Sequence, residues 1–152
     1  MKIYVAGKFT SPLEIHAVQA NCQNNGHTIT YDWTTNHIPL NSDLDTVRRL
    51  RRIAATADLE GVNQADIVLA LFADPSYAYR GTFTELGFAL AQGKRVFAVC
   101  PHYFEKNIEP TYATNCFFES PGVHHYASVE EALAALSHNG RESESFFTTE
   151  RS

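Results

Sequence analysis

Apolar and polar positions alternate along the chain with two different periods, and the period changes at regular intervals. Ile3-Tyr4-Val5-Ala6 is a short β-rich run closed by Gly7. Ser11-Pro12-Leu13-Glu14 then predicts a helix start, with Ser11 as N-cap, Pro12 at the first helical position and Glu14 closing a capping box. This helix is expected to reach Asn25 and stop at Gly26. His27-Thr28-Ile29-Thr30-Tyr31-Asp32-Trp33 alternates polar with apolar or aromatic side chains, as a half-exposed edge strand does. Leu44, Val47, Leu50, Ile53, Ala54, Ala57 and Val62 recur at steps of three and four, which predicts a long helix over 44–62. Asp66-Ile67-Val68-Leu69-Ala70-Leu71-Phe72 is a continuous apolar run of the kind buried on both faces of a parallel sheet. Thr82-Phe83-Thr84-Glu85 repeats the capping pattern and opens a helix to Gln92, ended by Gly93; residues 95–100 give another strand. A short strand is expected near 115–118, and Ser128-Val129-Glu130-Glu131 opens a last helix through Leu136.

Strand and helix thus alternate. This predicts a single α/β domain over residues 1–137, with a doubly wound, mainly parallel five-stranded sheet of flavodoxin-like or Rossmann-like type. Residues 138–152 are mostly polar and are expected to form a loose tail. Ligands of such sheets bind beyond the carboxyl ends of the strands, where the strand order reverses. For order 2-1-3-4-5 that crevice lies between the first and third strands, under the loops Gly7-Lys8-Phe9-Thr10 and Asp74-Pro75-Ser76-Tyr77-Ala78-Tyr79-Arg80-Gly81. The second loop is longer than the two to six residues usual at such a connection. It also carries a carboxylate, two aromatics, an Arg and a Gly, which suits a binding loop.

Composition narrows the partners. The 152 residues are 44% hydrophobic and 19% charged, enough for one packed core, and the formal charge of −5 repels a nucleic-acid backbone, so no polynucleotide partner is expected. Cys22, Cys100 and Cys116 are too few and too widely spaced for a disulfide framework or a zinc knuckle. No run reaches the ~18 apolar residues of a membrane span, and residues 3–6 are too short for a signal peptide's apolar core. No membrane partner is expected, and the cytoplasm is the expected compartment.

Several residues carry candidate chemistry. Glu85 either closes a capping box with Thr82 or presents a carboxylate to the crevice, where it could stabilise or attack a cationic sugar carbon. Asp58 reads as a solvated helix charge unless a tilted helix brings it to the crevice, and Tyr4 reads as core or as a site residue. Arg48-Arg49-Leu50-Arg51-Arg52 is a solvated helix face, a phosphate contact or a surface for a second subunit. His124-His125 lacks the i, i+3 or i, i+4 spacing of two helical metal ligands, so no metal is expected.

Taken in order, Lys2-Ile3-Tyr4-Val5-Ala6-Gly7, Tyr31-Asp32-Trp33-Thr34, Ala57-Asp58-Leu59-Glu60-Gly61-Val62, Ala65-Asp66-Ile67-Val68-Leu69, Arg80-Gly81-Thr82-Phe83-Thr84-Glu85-Leu86-Gly87 and Gln92-Gly93-Lys94 resemble the nucleoside 2-deoxyribosyltransferase family. Phe117-Phe118, Pro121-Gly122-Val123 and residues 128–133 resemble its short bacterial and phage-type members, which include nucleotide N-glycosidase relatives. The resemblance covers residues 1–136. It implies cleavage of the N-glycosidic bond of a (deoxy)nucleoside or its 5′-phosphate, without a cofactor, with the sugar passed to water or to another base. It further implies that Glu85 acts on the anomeric carbon, Asp58 hydrogen-bonds or protonates the departing base, Tyr4 orients the carboxylate, and Gly7 allows close approach of the ligand. Lys8, Phe9, Asp74, Arg80, Gly81 and Thr82 join them as substrate-binding candidates, and Ser76, Arg80 and Thr82 could hold a phosphate. A homo-oligomer, a dimer or larger, is implied. Where the larger transferases carry another Asp, this chain has Tyr79-Arg80-Gly81, and its last residues contain no Tyr. Those departures favour water as the acceptor. A catalytically silent nucleotide-binding or assembly module of the same fold is the alternative. A flavin binder is disfavoured by the absence of a hydroxyl- and Gly-rich cradle after the first strand.

Overall fold

The computed structural model describes the backbone of residues 1–147 and side chains through 138. Five strands, β1 (Lys2–Ala6), β2 (Thr28–Ile29), β3 (Ile67–Leu71), β4 (Arg95–Val99) and β5 (Val123–Tyr126), form one sheet in the order β2-β1-β3-β4-β5. Every neighbouring pair is parallel, so the sheet is wholly rather than mainly parallel. Around it pack α1 (Pro12–Asn24), α2 (Leu44–Gln64), α3 (Arg80–Ala91) and α4 (Val129–Phe147). The order reverses between β1 and β3, the place expected from the sequence. All five residues of β3 are buried, as its uninterrupted apolar run requires of a central strand covered on both faces. Gly26 and Gly93 end α1 and α3 with φ of 83° and 72°, a left-handed conformation that glycine adopts without strain.

Four local expectations need correction. Ser11 makes no side-chain cap to α1, so the first capping box is not formed. The second strand has only two residues. Its run ends because the Asp32 side chain accepts a hydrogen bond from the Thr34 amide and turns Trp33–Thr35 into a 3-10 helix. Residues 116–119 also form a 3-10 turn, and the fifth strand follows it at Val123–Tyr126. Finally, α4 continues to Phe147 instead of ending at Leu136. The Ser128 box does form: Ser128 Oγ accepts from the Glu131 amide, and Glu131 Oε2 accepts from the Ala127 amide. Of the segment 138–152, expected as a tail, residues 138–147 belong to α4, and 148–152 lie outside the described residues.

The short β2 has a consequence for the site. Beyond Ile29 no strand covers the β1 edge, and the Val5 carbonyl would be left without a backbone partner. The Trp33 indole fills that role, donating from Nε1 to Val5 O at 2.7 Å, which turns the ring inward and buries it beside the carboxyl end of β1. On the far side, Phe72 packs against Tyr79, Tyr112 and Phe118 at centroid distances of 5.0, 5.0 and 5.3 Å. These aromatic contacts anchor the loop after β3. Backbone bonding adds to them, with the Thr111 amide donating to Pro75 O at 2.8 Å.

Candidate active site

Helix α3 begins three residues earlier than its capping pattern suggests. Tyr79, in a left-handed conformation with φ 51°, stands at the N-cap without a side-chain cap, and Arg80 is the first helical residue. Thr82 therefore lies inside the helix, where its hydroxyl donates to Gly7 O at 3.2 Å and ties α3 to the end of β1. Glu85 has no capping role. Its Oε1 accepts a hydrogen bond from the Tyr4 hydroxyl at 2.8 Å. Tyr4 is fully buried on β1, so this carboxylate is held by a rigid strand and not by a flexible loop. Burial pushes the Glu85 carboxyl up to about 8; the Tyr4 hydrogen bond works against that shift and the neighbouring Asp58 charge adds to it. Burial also raises Tyr4 far above the ordinary phenol range, with the Glu85 and Asp58 charges contributing, so Tyr4 is a fixed neutral donor.

Asp58 comes to the same cleft from α2. The helix lies close over the sheet because Gly61, one turn further on, has no side chain: a Cβ there would stand 2.7 Å from Tyr31 Cβ and 2.9 Å from the Tyr4 ring. Asp58 is half-buried, and its Oδ1 accepts from Asn36 Nδ2 at 3.2 Å. Burial raises its pKa and the Asn36 bond opposes the rise. Gly61→Ala is expected to push α2 and the Tyr4 ring apart. It should cost about 1–3 kcal/mol of stability, as overpacked cores do, and should lower turnover beyond the fraction unfolded, checked by kinetics well below the thermal midpoint.

Gly7, Phe9, Trp33, Asp58, Gly81, Thr82 and Glu85 line one cleft of about 120 Å³. A wider cavity of about 590 Å³ adjoins it through Phe9, Trp33 and Asp58, and continues past Asn36, His37, Ile38, Leu50, Arg51 and Ile53. Phe9 and Trp33 stack with centroids 6.3 Å apart and planes at 19°, and Phe9 is 68% exposed. An exposed aromatic face on the wall between a small polar cleft and a larger apolar cavity offers a stacking surface for a flat ring.

Six of the expected residues thus converge on the cleft, with Tyr4 beneath it. The other three lie on its rim. Lys8 Nζ pairs with Asp74 Oδ2 at 2.7 Å and lies over the Tyr77 ring. Asp74 also accepts from the amide and hydroxyl of Ser76, and together with Lys8 these bonds hold its carboxylate well below the usual range. Arg80 is exposed and lines a neighbouring depression with Ser76, Tyr77 and Gly81. Sequence reasoning missed Trp33 as a cleft residue, and it missed Asn36, His37 and Arg51. For Trp33 the available signal was its being the chain's single tryptophan at the end of a strand pattern; Asn36 sits in a polar loop with no pattern at all. Among the described residues, no group of three or more His, Cys, Asp and Glu side chains is placed to hold a metal ion, and no helix is long and apolar enough to cross a membrane.

The arrangement sets a buried carboxyl, fixed by a phenol, beside a second carboxyl of raised pKa at an aromatic-walled cavity. Residues 3–109 match the family model described as nucleoside 2-deoxyribosyltransferase. Among solved structures, the chain is similar to the 2-deoxyribosyltransferase of the psychrotolerant bacterium Bacillus psychrosaccharolyticus, at 22% identity over 88% of this chain and 90% of that one, with a TM-score of 0.59. It is also similar to the Clostridium botulinum CMP N-glycosidase BcmB, at 18% identity over 90% and 98% of the two chains, with a TM-score of 0.48. No curated protein matches. At these identities the first likeness establishes the fold, and the family match stands on its own.

Proposed function

The chain belongs to the nucleoside 2-deoxyribosyltransferase family, enzymes that cleave N-glycosidic bonds, and from that premise we propose how its residues divide the reaction. The observation that carries the reading is the Tyr4–Glu85 hydrogen bond at 2.8 Å beside Asp58. With Oε1 engaged by Tyr4, Oε2 of Glu85 is the oxygen that meets the anomeric carbon. As the bond to the base breaks, the sugar becomes oxocarbenium-like, and the ionised carboxylate stabilises that charge and collapses onto the carbon. Asp58 protonates the departing base, turning a poor anionic leaving group into a neutral one. The sugar occupies the small cleft, and the base stacks on Phe9 and Trp33 and extends into the wider cavity. Gly81 leaves room for the substrate, since no atom stands within 4 Å of where its Cβ would be. A 5′-phosphate would meet Ser76, Arg80 and Thr82 at the N-terminus of α3, where free amides and the helix dipole favour an anion.

Water is the proposed acceptor of the sugar. This chain has Tyr79-Arg80-Gly81 where the larger transferases carry another Asp, a departure that supports water over a positioned acceptor base. Leu44 and Ile53 on α2 are 56% and 55% exposed, which supports a homo-oligomer that covers this face; the cytoplasm remains the proposed compartment. The test is to incubate the protein with each deoxynucleoside and deoxynucleoside 5′-phosphate, with and without a second free base, and to separate the products. Free base and free sugar in equal amounts are expected without any added base. A new nucleoside formed faster than free sugar would make transfer the activity, and the absence of base release from every substrate would refute the reading.

A further inference from the structure

Among the described residues, Asn36 is the side chain that hydrogen-bonds to the Asp58 carboxyl, and its own orientation is fixed from behind. Tyr31 OH donates to Asn36 Oδ1 at 2.5 Å, which leaves the Asn36 amide nitrogen facing Asp58, where it donates to Oδ1 at 3.2 Å. The alternative amide rotamer would set Asn36 Oδ1 against the carboxylate oxygen and leave the Tyr31 hydroxyl facing an NH₂ group, losing both bonds. Tyr31 is itself held by packing, since its Cβ lies against the backbone of Gly61 on α2. We propose that Asn36, oriented by Tyr31, is a positioning residue for Asp58: it occupies Oδ1, so the proton passed to the departing base is carried by Oδ2. The inference rests on the reading of Asp58 as the acid for the base and adds which oxygen acts and what aims it. In the transfer, the Oδ2–H bond breaks as the base nitrogen takes the proton, and the negative charge left on the carboxylate is met by the Asn36 N–H. Asn36 therefore favours the product side of the step as well as its geometry.

The groups that surround Asp58 are few. Tyr4 from β1 and Glu85 from α3 face it across the small cleft, and His37 and Arg51 line the adjoining cavity from the segment after β2 and from α2. None of these hydrogen-bonds to it; among the described residues Asn36 does.

The experiment compares substrates that differ only in how much they need a proton: 2′-deoxyguanosine against its N7-methyl derivative, and 2′-deoxyuridine against its 5-fluoro derivative, each as nucleoside and 5′-phosphate. Asp58→Asn is the reference variant. Asn36→Ala and Tyr31→Phe are expected to lower kcat for the ordinary bases by about 10–100-fold, a part of what general acid catalysis contributes, and to leave the activated partner within about threefold. The limb of the pH profile that reports Asp58 should move to higher pH in Asn36→Ala, because a bond to the charged form has been removed. Tyr31→Phe retains the asparagine and covers the case in which Asn36→Ala folds poorly. Equal losses on both members of each pair, or a rise in KM without a kcat effect, would overturn the inference while an Asp58→Asn variant that still discriminates keeps the reading of Asp58 intact. If Asp58→Asn does not discriminate, both fall together.

Discussion

Glu85→Gln is expected to abolish base release and, above neutral pH, to make the protein more stable. The amide keeps the shape of the side chain and still accepts from Tyr4, so the hydrogen bond at 2.8 Å survives. What is lost is the negative charge proposed to face the anomeric carbon and, with it, the proposed nucleophile. Removing a single electrostatic stabiliser of a transition state costs about 10²–10³ in rate, and removing the nucleophile as well should take the loss past that range. The stability effect has the opposite sign. The Glu85 carboxyl ionises at about 8 in the folded protein because burial disfavours its charge, whereas in the unfolded chain it ionises near the ordinary 4.5. Between those values the folded state holds a proton that the unfolded state has released, so stability falls as pH rises through the window. Glutamine does not titrate and removes that slope. The thermal midpoint of Glu85→Gln should match the parent near pH 4 and exceed it by several degrees at pH 8. Full activity in the variant would remove Glu85 from the chemistry, and a midpoint below the parent at pH 8 would show that its charge is not buried at a cost. Glu85→Ala is a less informative variant, since it leaves the buried Tyr4 hydroxyl without an acceptor, worth about 1–3 kcal/mol.

The same residue shows why one part of the site was legible in the sequence and another was not. The pattern Ser/Thr-x-x-Glu occurs at Ser11, Thr82 and Ser128. Only at Ser128 does it build a cap; at Ser11 the side chain makes no cap bond. At Thr82 the phenol on β1, some eighty residues away in the chain, takes the carboxylate, and no local pattern carries that information. The strand order, the crevice between β1 and β3, and the convergence of Gly7, Gly81, Thr82 and Glu85 were readable because they follow from the alternation of strand and helix, from buried runs such as Ile67–Leu71, and from the rule for sites in open parallel sheets. Asp58 was readable as a position but not as a site from helical rise alone. Its approach depends on Gly61, a residue whose importance lies in a side chain it lacks. Trp33 and Asn36 escaped because the second strand stops at Ile29, where an Asp32 side-chain bond outweighs the β propensity of Tyr31 and Trp33. That early stop is what frees the β1 edge for Trp33 and carries Asn36 over Asp58. The local rule that failed therefore failed at the site itself.

Asp58→Asn is expected to change the pH profile at both ends. The two carboxyls share one cleft and the Asp58 charge raises Glu85, so they titrate as a coupled pair. On the proposed division of the reaction, the active form has Glu85 ionised and Asp58 protonated. Because Glu85 ionises at about 8 with the Asp58 charge helping to raise it, that form is the lesser of the two singly protonated forms, and kcat/KM in the parent should be bell-shaped, falling in the region of about 8 and rising below it, each limb a property of the pair. In Asp58→Asn only Glu85 titrates, free of one of the two influences that raise it, the lesser one after burial, so activity should rise in a single limb placed below about 8. The falling limb should disappear, because asparagine has no proton to lose. Rates on ordinary bases should drop by about 10²–10⁴, the usual contribution of a positioned acid, and activated bases should be largely spared. A single limb that stays at about 8 in Asp58→Asn would mean that the Asp58 charge does not reach Glu85. An unchanged falling limb would assign that ionisation to another group facing the cavity. With the bell replaced by one limb as expected, the proposed acid and the proposed nucleophile of this pocket work through a single shared proton.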